Sequence, residues 1–183
     1  SKTYEASDER IKVLTHPGRQ NLGVSASRNR AVEESKADWI AFLDADDIWL
    51  PEKLAENYIV IQNHNDLAVI YSHAGIIKDG FSGEVEENKY IFGTPGVMNK
   101  PFLKTLKGVR LATPSVVMNK EVFKKTGGFD EQINFSEDTL LYHKALLFGD
   151  LYCIDKSLIK VRYHDHSCKS VTEEGVIALV RLK

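Results

Sequence analysis

Cysteine is scarce in this chain of 183 residues, which has only Cys153 and Cys168. Two such residues offer neither a metal-ligand spacing nor the density of a disulfide-stapled secreted scaffold, so a reducing compartment, the cytoplasm, is expected. An excess of one charge is also missing. With 24 basic against 26 acidic residues the net charge is −2, which argues against a nucleic-acid partner and against capture by an anionic surface through charge alone. No apolar run approaches the roughly 18–20 residues of a bilayer-spanning helix, and no signal peptide is visible. Internal repeats and low-complexity segments are lacking too. What remains is an ordinary soluble balance, 43% apolar and 27% charged, at a length that favours one domain with a sizeable core.

The most informative stretch is residues 39–51, Trp-Ile-Ala-Phe-Leu-Asp-Ala-Asp-Asp-Ile-Trp-Leu-Pro. Trp39 to Leu43 is an unbroken apolar run of strand length. Such a run suits a strand buried on both faces of a parallel sheet between helix layers. It ends in three carboxylates, Asp44, Asp46 and Asp47. Ligands of open α/β sheets sit beyond the carboxyl ends of the strands. Clustered acids repel one another, and a hard divalent cation with oxygen ligands, Mg²⁺ or Mn²⁺, would relieve that repulsion. The plainer alternative is a strand end followed by acids capping the helix that Pro51 and Glu52 open.

Along the rest of the chain, Ser1 to Arg10 reads as the end of a helix or a connecting segment, and Ile11 to Leu14 as a short strand. His16 to Gly23 is loop, and a helix is expected from near Ser25 to before Trp39. Leu54, Tyr58 and Ile61 recur at i, i+4, i+7 and predict the buried face of the helix after Pro51. Leu67 to Ser72 predicts a strand. Gly75 to Gly108 reads as irregular loop bordering the site. Ser115 to Met118 predicts a strand, and Asn119 caps a brief helix that Gly127 and Gly128 stop. Ser136 caps another, with Leu141, Ala145 and Phe148 on one face. Leu151 to Tyr163 reads as a hairpin or two strand pieces turned at Asp155-Lys156-Ser157, and Thr172 to Lys183 has helical character. Alternating strands and helices make the class α/β.

Five segments in order, Asn21-Leu-Gly-Val-Ser-Ala-Ser-Arg-Asn, Phe42-Leu-Asp-Ala-Asp-Asp-Ile-Trp-Leu-Pro, Gly127-Gly-Phe-Asp, Ser136-Glu-Asp and Val161-Arg-Tyr-His, together resemble the family 2 glycosyltransferases. The resemblance implies a GT-A-type (Rossmann-like) fold, a mostly parallel sheet flanked by helices, as a single domain over residues 1–183. Residues 1–72 would form the nucleotide-binding part and 73–183 the acceptor side. It also implies inverting transfer of a sugar from a nucleotide diphosphate, usually UDP, to a glycan or lipid-linked acceptor, as in polysaccharide biosynthesis. The implied setting is the cytoplasm, with peripheral association at the inner face of a membrane and no nucleic acid partner.

The resemblance also implies roles for residues. Asp44-Ala45-Asp46 matches the family's DXD motif, so Asp46 would ligate a divalent Mn²⁺ or Mg²⁺, and Asp44 would lie near the ribose or the metal's water shell. Asp47 has no firm counterpart and is expected to cap the next helix. Arg28 would contact the nucleotide. Without the family an exposed helix arginine is the simpler reading. Glu137-Asp138 matches an acidic pair of the substrate site, with Asp138 as catalytic base, although acids at a helix start are also favoured by the helix dipole. His164 would reach the metal or diphosphate, with His166 as alternative and Val161 standing where the family has tyrosine. The family's opening strand and Asp-Asp-Gly-Ser-like segment have no counterpart, so the chain is expected to begin after them, N-terminally truncated. Two competing readings are a haloacid dehalogenase-type phosphotransferase, which also sets Asp-x-Asp after an apolar strand, and a non-catalytic or inactive glycosyltransferase-like binding domain or fragment.

Overall fold

The computed structural model describes residues 2–78, 94–98, 101–106 and 111–163. At the centre of its sheet lies β3 (Leu67–Lys78), whose first eight residues are all buried. A parallel neighbour, β6 (Asp150–Tyr163), runs along its whole length, and β5 (Val117–Asn119) pairs antiparallel on its other side. β1 (Trp39–Ala41) completes that side by pairing with β5. Beyond β6 lie β2 (Ile48–Trp49) and β4 (Gly96–Met98), both antiparallel to it. The sheet is therefore mixed. Its parallel character resides in one ladder of eleven paired positions, against two or three in each antiparallel ladder.

Helices cover both faces, as the alternation of side chains along the strands requires. Val69, Tyr71 and Met118 point into a core shared with Val32 of α2 (Gly23–Glu34), Phe123 of α5 (Lys120–Thr126) and Leu141 of α6 (Glu137–Ala145). Ile70 and Val117 point the other way, onto Val60 of α3 (Lys53–Asn63). Two short helices, α1 (Lys2–Ser7) and α4 (Pro101–Leu106), and two 3-10 turns, Pro17–Arg19 and Thr113–Ser115, complete the described elements. No helix among the described residues is long and apolar enough to cross a membrane.

Local signals of the sequence hold where they are self-sufficient. Asn119 caps α5 by accepting from the amides of Glu121 and Val122, and Gly127 ends it in the left-handed conformation. Elsewhere tertiary partners redirect the chain. Ile11–Leu14 forms no strand, and the Val13 amide donates to the Glu5 carboxylate instead of a ladder. The expected buried run at Trp39 yields only three strand residues, and Leu43 is exposed. The segment read as loop from Gly75 to Gly108 begins as strand, because β6 carries β3 on to Lys78, and it also holds β4 and α4; its residues 79–93, 99–100 and 107–108 lie outside the described ones. The hairpin or pair of strand pieces expected over 151–163 is one strand. Opposite the Ser72–His73 step the register passes from Ile154 to Ser157, so Asp155 and Lys156 form a bulge. His73 holds Asp155 there and Glu56 holds Lys156. Helix α6 does start after Ser136, but that residue has φ 58° and makes no side-chain cap, and Phe148 lies exposed past the helix end. The C-terminal segment 172–183 lies outside the described residues.

Helix α3 turns its buried face by one residue from the expected one. Of the expected set only Ile61 packs partly against the core, and Leu54 and Tyr58 are 59% and 63% exposed, while Lys53 is wholly buried together with Asn57 and Val60. Those three also follow i, i+4, i+7 spacing, so the period was right and the phase was not. Each polar residue on the inner face makes a hydrogen bond there: Lys53 Nζ donates to the Ser115 carbonyl at 2.8 Å and Asn57 Nδ2 to the Lys53 carbonyl at 2.6 Å. Burial pulls the Lys53 pKa down to about 8. Between that value and the ordinary lysine value the unfolded chain binds the extra proton, so stability rises as pH increases from about 8 towards 10, by at most about 3 kcal/mol. Urea unfolding at pH 7.5 and pH 10 is expected to show this rise in the unmodified protein and not in Lys53→Met. Equal pH dependence in both would refute it.

Candidate active site

The carboxylates after β1 are held on a tight turn closed by the Asp47 amide on the Asp44 carbonyl at 3.1 Å. Two arginines clamp it. Arg162, near the end of β6, donates its backbone amide to Asp47 Oδ1 at 2.9 Å and its Nε to the Asp46 carbonyl at 3.2 Å. Asp47 therefore ties the turn to the sheet rather than capping α3. Burial, and then the charges of Asp46 and Asp44, push its carboxyl above the ordinary range. Asp46 is the exposed member of the three.

The second clamp is Arg28, projecting from α2. Its Nη2 donates to Asp44 Oδ1 and Oδ2 at 2.8 and 3.1 Å, and its Nη1 to Glu137 Oε1 at 3.0 Å. The guanidinium packs against the edge-to-face pair of Phe42 and Phe129, 5.9 and 5.3 Å from their ring centroids, and the side chain is only 12% exposed. Burial works against its charge, but Asp44 and Glu137 more than offset that, and its pKa rises. Asn29, the next residue, grips Phe129 by both backbone groups: Oδ1 accepts from its amide and Nδ2 donates to its carbonyl, each at 2.9 Å. Gly128 makes this contact possible. A Cβ there would meet Asn29 Oδ1 at 2.8 Å, and the φ of 75° also favours glycine. The Arg28-Asn29 and Gly127-Gly-Phe-Asp segments thus interlock, the second placing an aromatic face on the guanidinium of the first.

One arginine consequently joins the Asp44–Asp47 turn to the start of α6, 109 residues from Arg28 at Glu137. Burial, then the neighbouring Asp138, pushes the Glu137 carboxyl up, with Arg28 opposing. Asp138 is held at both oxygens. Oδ1 accepts from the Thr139 amide at 2.6 Å and its hydroxyl at 3.3 Å, and Oδ2 accepts from the Thr113 hydroxyl at 2.9 Å. Ser136, in the left-handed region at φ 58°, turns the chain into this helix, a strained entry of the kind found at functional sites. Beneath them Tyr142 is buried, its hydroxyl near Thr113 without a well-formed hydrogen bond, and its burial raises its pKa.

The structure brings together four of the residues singled out in the sequence: Arg28, Asp44, Glu137 and Asp138. Asp46 lies on the same turn as Asp44. His164 and His166 lie outside the described residues. Among the described residues no three His, Cys, Asp or Glu side chains are grouped to cage a metal ion by themselves. Phe42, Thr113 and Phe129 joined the site unannounced, since an aromatic or a threonine in an apolar segment reads as core.

Comparison with known proteins gives a consistent result. The profile of glycosyl transferase family 2 matches residues 1–127. An uncharacterised glycosyltransferase of Methanocaldococcus jannaschii is 32% identical over 139 residues, covering 75% of this chain and 45% of that protein. The Escherichia coli UDP-Glc:alpha-D-GlcNAc-diphosphoundecaprenol beta-1,3-glucosyltransferase WfgD is 38% identical over 163 residues, 88% of this chain and 58% of WfgD. The chain thus spans about half the length of these relatives. Among solved structures, residues 1–349 of S. aureus TarS in complex with UDP superpose with a TM-score of 0.59 at 18% identity, over 78% of this chain and 40% of that one. At that identity the likeness shows the GT-A fold.

Proposed function

This chain belongs to glycosyl transferase family 2, and we propose that it moves a sugar from a UDP-sugar to a glycan or lipid-linked acceptor, with inversion and with a divalent metal ion bound. The observation that carries this reading is the Arg28 bridge, which sets an acidic turn beside a helix start bearing a second acidic pair. WfgD supplies the donor and acceptor classes by its own name. Family membership argues against haloacid dehalogenase-type chemistry.

In an inverting displacement the acceptor oxygen attacks the anomeric carbon as the bond to the diphosphate breaks, and the bonding electrons leave with the diphosphate. Asp138 takes the proton of the attacking hydroxyl. Its carboxylate suits that task because Thr113 and Thr139 fix both oxygens on a rigid helix start. The Asp44–Asp47 turn suits Mn²⁺ or Mg²⁺ in the open manner of Mg²⁺ sites, which take one or two carboxylates plus substrate phosphates and waters. Asp46 and His164 would hold the ion in this reading, while Asp44 remains with Arg28. Bound there, it would offset the charge that develops on the departing diphosphate. Peripheral membrane association follows for an acceptor carried on a lipid.

Titration calorimetry of UDP on the full-length protein tests the donor side. Affinity is expected to rise with Mn²⁺ and to fall at least about tenfold (~1.4 kcal/mol) in Asp46→Ala. Binding indifferent to both the ion and the substitution would refute the metal role, and no UDP binding at all would refute the donor.

A further inference from the structure

The turn Thr113–Ser115, a single buried 3-10 turn between α4 and β5, is tied to other elements by three side-chain hydrogen bonds. One leaves it: the Thr113 hydroxyl donates to Asp138 Oδ2 at 2.9 Å. Two arrive: Trp49 Nε1 donates to the Pro114 carbonyl at 2.9 Å and Lys53 Nζ to the Ser115 carbonyl at 2.8 Å. Both donors come from the segment that follows the Asp44–Asp47 turn. The ammonium also lies 5.9 Å from the Trp49 ring centroid.

We propose that Thr113 is a positioning residue for Asp138, and that Trp49 and Lys53 brace its turn so that the carboxylate stays aimed at the acceptor hydroxyl. The inference rests on the reading of Asp138 as base. Its physical content is rotational. The bonds from Thr139 come from the adjacent residue and travel with α6, whereas Thr113 belongs to another element, 25 residues away. The Thr113 bond therefore fixes the carboxylate relative to the rest of the site. It occupies one lone-pair direction of Oδ2 and leaves another for the incoming proton. The brace explains a wholly buried lysine, since burying an ammonium is unfavourable unless its hydrogen bonds are used. A merely structural turn would affect donor affinity and turnover together, or neither. A positioning turn affects turnover alone.

The test uses the full-length protein and the donor–acceptor pair on which it turns over, beginning with UDP-glucose and a GlcNAc-diphosphate lipid. Thr113→Val keeps the shape and removes the hydroxyl; kcat is expected to fall roughly 10–100-fold with the donor KM within about twofold. Thr113→Ser restores the donor and is expected to recover most of kcat. Trp49→Phe keeps a ring and loses the N–H, for an expected loss of about three- to tenfold; it carries the test should Thr113→Val fail to fold. The Asp138 carboxyl ¹³C resonance, assigned with Asp138→Asn, moves in Thr113→Val and Trp49→Phe but not in Thr113→Ser. Turnover retained by Asp138→Asn would overturn the base reading itself. An inactive Asp138→Asn beside a Thr113→Val of unchanged kcat, or a Thr113→Ser as impaired as Thr113→Val, would overturn the positioning role alone.

Discussion

Asp138→Asn is expected to lower kcat for sugar transfer by roughly 10²–10⁴-fold, the usual contribution of a positioned general base, and to leave metal-dependent UDP affinity within about twofold. The substitution is close to isosteric, and the local hydrogen bonds can be re-satisfied. The amide oxygen still accepts from the Thr139 N–H, and the amide NH₂ donates to a Thr113 hydroxyl that rotates to accept. Removing the charge also relieves Glu137, whose carboxyl is raised by burial and then by Asp138. The fold is therefore expected to hold or gain slightly in thermal stability. What is lost is proton acceptance alone. Steady-state kinetics beside UDP calorimetry separates the outcomes: more than a tenth of the original kcat, or a parallel collapse of UDP binding, would remove Asp138 from the base role.

The features that could be read from the sequence are those fixed within a few residues. Asn119, Gly127 and the acids after Trp39 announce themselves because a cap, a left-handed stop or a strand end is decided locally. The phase of α3 was not decided locally. Leu54-Tyr58-Ile61 and Lys53-Asn57-Val60 have the same period, and only the carbonyl of Ser115, distant in sequence, makes the polar set the buried one. The Asp155-Lys156-Ser157 segment has turn chemistry, but an eleven-pair parallel ladder to β3 absorbs two of its residues as a bulge. The site followed the same division. Its acids were legible as acids, whereas the bridge that Arg28 makes between them was not, because its partners lie 16 and 109 positions away. The aromatic faces around it were invisible for the same reason.

Arg28→Met is expected to destabilise the protein by roughly 2–4 kcal/mol, because it leaves a mostly buried carboxylate without its counter-ion while preserving an apolar stem against Phe42 and Phe129. Most of that loss belongs to Glu137, whose side chain is 13% exposed; Asp44, at 40%, is screened by solvent and contributes less. The sign of the pH dependence identifies the cause. Glu137 already has its carboxyl raised in the folded protein by burial and then by Asp138, and removing Arg28 takes away an opposing influence. A carboxyl raised on folding binds its proton more readily in the native state, so the deficit of Arg28→Met is present above the raised value and shrinks on acidification. Urea unfolding at pH 7 and pH 5 should show the variant approaching the unmodified protein at the lower pH. Adding Glu137→Gln should recover part of the loss at pH 7. Arg28→Lys is not expected to rescue, since one ammonium cannot reproduce a planar fork that grips Asp44 with one nitrogen and Glu137 with another. A variant within about 0.5 kcal/mol of the original at both pH values would show that the two acidic segments are held together by packing alone.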